Sequence, residues 1–140
     1  MNLKLITLLG EKINEQVYQA TIPTVSGDIT VYPGHEPLVT VARPGAIAIR
    51  FDKADPDSKL EYFAISGGIV EISSSEVKIL VDAADHSDDI VEADTKAALE
   101  RAIEMQKNAT DQVEREKAHE IINRQQVRLK VAELRRRKRR

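Results

Sequence analysis

Residues 27–51 read GDITVYPGHEPLVTVARPGAIAIRF, and this stretch decides the fold. Ile29 and Val31 alternate with Asp28 and Thr30, the period of a strand with one buried face. Tyr32-Pro33-Gly34 then turns the chain, because proline fixes φ and glycine admits the left-handed region. Pro37 opens Leu38-Val39-Thr40-Val41, and Pro44-Gly45 turns the chain again. Ile47, Ile49 and Phe51 share one face, with Ala46, Ala48 and Arg50 on the other.

The same grammar runs outward in both directions. Leu3, Leu5, Thr7 and Leu9 alternate with Lys4, Ile6 and Leu8 in an extended segment that ends at Gly10. Downstream, Asp52 to Ser58 is a polar loop, and Tyr62 to Ile65 is a strand entering Ser66-Gly67-Gly68. That tripeptide reads as a tight hairpin turn in which glycine takes a positive φ. Ile69 to Ile72 continues, Ser73-Ser74-Ser75 turns, and Val77, Ile79 and Val81 alternate as far as Asp82. Seven or more short strands between turn signals predict a β-sandwich over residues 1–87.

The remainder has another character. The last proline is Pro56 and the last glycine is Gly68. Residues 1–90 hold 7 Lys and Arg against 14 Asp and Glu, whereas residues 91–140 hold 14 against 9. An acidic, turn-rich part is thus followed by a basic part without helix breakers, which places a domain boundary near residue 88. Asp88-Asp89 with Glu92 three residues on reads as a capping box. Ala98, Ala102, Met105 and Ala109 form a narrow stripe at helical spacing. Asn108 to Asp111 breaks the helix, and Thr110 or Asp111 caps the next one. Ala118, Ile122, Gln125, Leu129 and Ala132 then recur at steps of four and three. Residues 88–140 are therefore expected to form an antiparallel helical hairpin. Its seam has few large apolar residues, so it leans on a neighbour and can open.

Several classes are set aside. The chain has no cysteine, which excludes disulfides and thiolate metal sites. No stretch approaches the roughly 20 apolar residues of a membrane span. The apolar run near Met1 is short and interrupted by Asn2 and Lys4, so no signal peptide is expected. His35 stands between Gly34 and Glu36 without a second ligand, and a turn or subunit contact is expected of it. His86 lies in the acidic run Asp82 to Asp89, which lacks the glycine of a calcium loop. His119 reads as solvated. No nucleophile–base set is implied, and neither catalysis nor a bound metal is expected.

Two segments carry a resemblance. Gly27-Asp28-Ile29-Thr30-Val31-Tyr32-Pro33-Gly34-His35-Glu36-Pro37-Leu38-Val39-Thr40 resembles a signature of the epsilon subunits of bacterial F-type ATP synthases. Phe63-Ala64-Ile65-Ser66-Gly67-Gly68-Ile69-Val70-Glu71-Ile72 resembles their second signature, at the matching spacing. The order of sandwich and helical hairpin is similar too, so the resemblance spans essentially the whole chain. It implies a non-catalytic subunit of the central stalk that couples proton- or sodium-driven rotation to ATP synthesis. It also implies a brake on ATP hydrolysis, with the hairpin either folded on the sandwich or extended toward the catalytic head. The partners implied are the gamma subunit, the c-subunit ring and the alpha/beta head, at the cytoplasmic face of the bacterial plasma membrane. Asp28, Tyr32 and His35 would then face gamma or the c ring.

The resemblance also raises ATP as a regulatory ligand. Some members open the first helix with Ile-Asp-x-x-Arg-Ala; here the stretch is Ile90-Val91-Glu92-Ala93-Asp94-Thr95, so the acid and the arginine are both replaced. Arg101, Arg124 and Arg128 nevertheless fall where the family has phosphate-side arginines, and the last two share a helix face. The tail Arg135-Arg136-Arg137-Lys138-Arg139-Arg140 is less typical. Three readings of it stand: contact with an acidic loop of the head, contact with anionic lipid, or binding of nucleic acid. Only 4% of residues are aromatic, which is poor for base stacking and weighs against the last.

Overall fold

The computed structural model describes residues 1–138; Arg139 and Arg140 of the basic tail lie outside the described residues. Ten strands precede two helices. The strands are β1 (Asn2–Thr7), β2 (Gly10–Gln16), β3 (Gln19–Thr24), β4 (Gly27–Val31), β5 (Leu38–Ala42), β6 (Gly45–Arg50), β7 (Glu61–Ile65), β8 (Gly68–Ile72), β9 (Glu76–Val81) and β10 (Ala84–His86). The helices are α1 (Glu92–Lys107) and α2 (Gln112–Lys138).

The strands form a sandwich. One layer runs β10-β7-β6-β3 with β4 on the far side of β3, and the other runs β5-β8-β9-β1-β2. The layers join at one corner, where Thr24 of β3 pairs with Ala42 of β5. All pairings are antiparallel except β1 with β9. Alternation puts Leu3, Leu5, Ile22, Ile47, Ile49, Phe63, Val70, Val77 and Ile79 into one core between the layers. At about 25 cal/mol per Å² of buried apolar area, these side chains are the main source of stability.

Some sequence expectations change. The first strand stops at Thr7, whose hydroxyl donates to Gly10 O and accepts from Leu9 N; Leu8 and Leu9 sit exposed in the turn. Ser66-Gly67 is not a hairpin turn: β7 pairs with β6 and β10, and β8 pairs with β5 and β9, so the segment crosses between layers. Neither Gly67 nor Gly68 has a positive φ. Gly68 is required sterically, because a Cβ there would lie 1.9 Å from Leu80 O. Positive φ belongs instead to turn glycines such as Gly34, at +87°. Two strands, β2 and β3, lie in a stretch with no clear strand pattern.

The start of α1 also differs. Ser87–Asp89 form a 3-10 turn, and the helix begins at Glu92 with Val91 as an N-cap that has no side-chain bond. The expected Asp89–Glu92 box does not form, because the 3-10 turn uses Asp88 and Asp89. The α2 cap does form: Asp111 Oδ1 accepts from Glu114 N at 2.8 Å, and Glu114 reaches back to Thr110 N at 3.0 Å.

Candidate functional site

Two surfaces set this molecule apart from a plain sandwich. The first is the seat of α2 on the outer face of β6 and β7. Most residues that point away from the core there are small: Ala46 pairs in register with Ala64, and Ala48 lies opposite the larger Tyr62. A helix can approach such a face closely. Val131 and Ala132 of α2 bury themselves against Ala64 and Ile90, with Ala46, Tyr62 and Val127 partly buried around them. The α2 helix has 27 residues against 16 in α1, so its C-terminal part extends past its partner onto the sheet.

Between the helices, Ala102, Ala118 and Ile122 are buried. Met105 of the expected stripe stays half exposed, as do Ile103 and Val113 near the tip. Dry burial between hairpin and sandwich is thus confined to a few small side chains, and polar contacts supply the rest of the seat.

Those polar contacts follow one face of α2. Arg124, Arg128, Val131 and Arg135 recur at steps of four, three and four, a single helical stripe. Opposite them lies the acidic segment leaving the sandwich. Arg128 donates to Asp85 Oδ2 at 3.1 Å, and Arg124 lies 3.7 Å from the same oxygen. Arg135 donates to Ser87 O at 2.8 Å and lies 3.5 Å from Asp88. Arg136 Nη1 donates to both carboxylate oxygens of Glu92, at 2.9 and 3.1 Å. Lys138 donates to Leu60 O, whereas Arg137 pairs with Glu133 within α2. The described residues of the basic tail are therefore engaged in this folded-down arrangement. Arg101 lies elsewhere: it lines a groove near the hairpin tip with Glu104, Met105 and Lys117.

Tyr62 borders the seat. Burial raises its phenol above the ordinary value, the Asp57 carboxylate raises it further, and Arg50 opposes both. Arg50 also donates to Asp55 O and to Asp57 Oδ1, which ties the 52–58 loop to β6.

The second surface is the outer face of β5, β8 and β9. Val41, Ile69 and Leu80 lie side by side in register and are exposed, with Val39 beside them on β5. Asp28, Tyr32 and His35 are also at the surface. Asp28 pairs with Arg43 at 3.1 Å, Tyr32 packs edge-on against Tyr18 at 5.6 Å, and the His35 ring meets Glu36 O at 2.6 Å. Exposed contiguous apolar side chains on a sheet face mark a docking surface. No periodicity argument singled out Val41, Ile69 and Leu80, because the pairing that aligns them joins distant strands.

A β-sandwich with an uncovered apolar face, carrying a helical hairpin on a mostly polar seat, defines the class of an assembly subunit with a helical arm. Residues 1–87 match the model of the ATP synthase Delta/Epsilon chain beta-sandwich domain. An ATP synthase epsilon chain of Herpetosiphon aurantiacus is 31% identical over 137 residues, covering 97% of this chain and 96% of the relative. Among solved structures, a chain of the Euglena gracilis mitochondrial ATP synthase (OSCP, F1 and c-ring, rotational state 1) superposes with a TM-score of 0.72 at 24% identity, covering 86% of this chain and 74% of that one. A chain from the central stalk and c-ring of the Tetrahymena thermophila enzyme gives 0.59 at 18% identity, covering 94% and 96%. The two superpositions establish the fold. The chain belongs to the ATP synthase epsilon chain family.

Proposed function

We propose that this chain is the central-stalk subunit that links rotation to ATP synthesis and restrains ATP hydrolysis through its C-terminal helices. It contributes no catalytic group of its own. The observation that carries the reading is near full-length similarity to an epsilon chain, hairpin included. Two features support it: the exposed apolar row on β5, β8 and β9, suited to a partner subunit, and a hairpin seat with little dry burial. The gamma subunit, the c ring and the catalytic head are the proposed partners, with Asp28, Tyr32 and His35 toward gamma or the c ring. Arg135, Arg136, Arg137 and Lys138 reach the acidic head when the hairpin extends. Association with the cytoplasmic face of the membrane is peripheral, through the complex; no helix among the described residues is long and apolar enough to cross a membrane.

The test is ATPase activity of the cognate head with gamma, titrated with the full chain and with residues 1–87. The full chain is expected to bind and inhibit, and the truncation to bind without inhibiting. If neither binds, the stalk assignment fails. If both bind and neither inhibits, the brake is removed from the reading and the coupling role is kept.

A further inference from the structure

The resemblance raises ATP as a ligand that would hold the hairpin down, and the residues present can be tested for fit. The arginine pair that would grip a polyphosphate already has a partner. Asp85 lies on β10, paired in register with Ala64 of β7, and Ala64 is also the floor on which Val131 and Ala132 pack. The carboxylate is thus held by the sheet ladder at the edge of the seat, 3.1 Å from Arg128 and 3.7 Å from Arg124.

Space and charge agree. The cavity between Asp85, Arg124, Val127, Arg128 and the β7 edge measures about 10 Å³. That is room for about one water-sized sphere and not for a phosphate. A larger groove of about 360 Å³ lies beside it, where Arg124 is the only cation among the described lining residues and faces Asp82 and Glu120. A triphosphate entering there meets two carboxylates. The start of α1, where an arginine would assist, carries Asp94, and Arg101 lies toward the hairpin tip.

We propose that Asp85 is the built-in counter-ion of the folded-down hairpin, occupying Arg124 and Arg128 where a polyphosphate would otherwise bind, so that docking in this chain responds to ionic strength and not to ATP. The contacts of Arg135 with Ser87 O and Asp88 extend this latch along the acidic exit segment, while Arg136 on Glu92 ties α2 to the start of α1. The arginines of this stripe are part-exposed, so the latch is weak enough to open. It is a property of the isolated chain, so its failure and the failure of the stalk reading are distinguishable.

Because the chain has no cysteine, Glu71→Cys on β8 and Val113→Cys at the start of α2 give a clean pair for spin labels. Pulsed EPR distances are read on the full chain across a sodium chloride titration, with and without millimolar MgATP at constant ionic strength. The hairpin is expected to shift from docked to open as salt rises through the range where the Debye length falls below about 10 Å. MgATP leaves the distribution unchanged. Asp85→Asn raises the open fraction about three- to tenfold at low salt, as loss of a part-buried charge-assisted bond requires. Glu100→Gln, an exposed carboxylate elsewhere on the hairpin, changes nothing. Asp85→Arg combined with Arg124→Gln and Arg128→Glu, which removes the like charge at 124, restores docking and shows that the sandwich stays folded. A shift of the wild-type chain toward docking on adding MgATP overturns the proposal, and so does an Asp85→Asn protein that stays docked at every salt concentration.

Discussion

Gly68 and Gly67 are neighbours with different duties. Gly68 pairs with Ala42 on one side and Val81 on the other, in the middle of three strands. A methyl group there collides with Leu80 O, so β8 and β9 must separate. Gly68→Ala is therefore expected to cost about 3 kcal/mol, near the upper end for overpacking. Gly67→Ala meets Ala42 O at 3.3 Å and Pro44 Cδ at an ordinary 3.9 Å, and should cost about 1 kcal/mol or less. Urea unfolding of the two variants separates them; equal midpoints would remove the steric argument. Tyr62 offers a second test. Its phenol holds its proton more tightly in the folded chain than in the unfolded one. The contribution is fully present below the unfolded value of about 10 and is lost as pH rises through the raised folded value. Titrating tyrosinate absorbance should show one late-ionising phenol, which Tyr62→Phe removes. If the late component survives that substitution, the assignment to Tyr62 fails.

Among the elements, period-two alternation made β1, β4, β6 and β9 legible, and β5, β7 and β8 were legible as short apolar runs bounded by turn residues. The β2 strand was not, because only Ile13 among its seven residues is buried and the rest are mostly charged or amide side chains. In β3, Pro23 interrupts a short run that would otherwise read as a strand. Asp111 announced the start of α2 correctly because its cap is local. Asp89 misled because a 3-10 turn competes for the same residues. The helices also show where their stability lies. Charged residues dominate them, and Val131 and Ala132 supply the buried apolar contact of the part of α2 beyond α1 with the sheet. Val131→Asp should therefore free the hairpin and leave the sandwich intact. Hydrogen exchange is expected to speed up across residues 112–138 by roughly tenfold or more, with strand amides unchanged. Uniform loss of protection in strands and helices would mean that the hairpin and sandwich unfold as one unit.

At the scale of the whole molecule, the sandwich core closes without the hairpin, since none of its buried side chains comes from residue 88 or later. Residues 1–87 alone are expected to keep the near-ultraviolet circular dichroism of the full chain, although removal of α2 uncovers Tyr62, Ala64 and Ala46. A flat spectrum would show that the helices are needed for a fixed core. The candidate site was only half legible for the same reason of distance. Arg124 and Arg128 were singled out by the resemblance, but the partner of Arg128 lies 43 residues away, and no local pattern points to it. The exposed row on β5, β8 and β9 was hidden likewise, because its members meet only through pairing.

The parallel pairing of β1 with β9 has a consequence in time. Residues 2–6 lie alongside residues 76–80, so the first strand of the sandwich waits during synthesis for nearly its last. Until then β1 pairs only with β2, a hairpin that buries little, and the other edge of β1 stays open. Such distant closure slows folding and leaves apolar edges open to wrong partners during synthesis. The helices follow within a few dozen residues, so the newborn sandwich gains its arm at almost the moment it becomes whole.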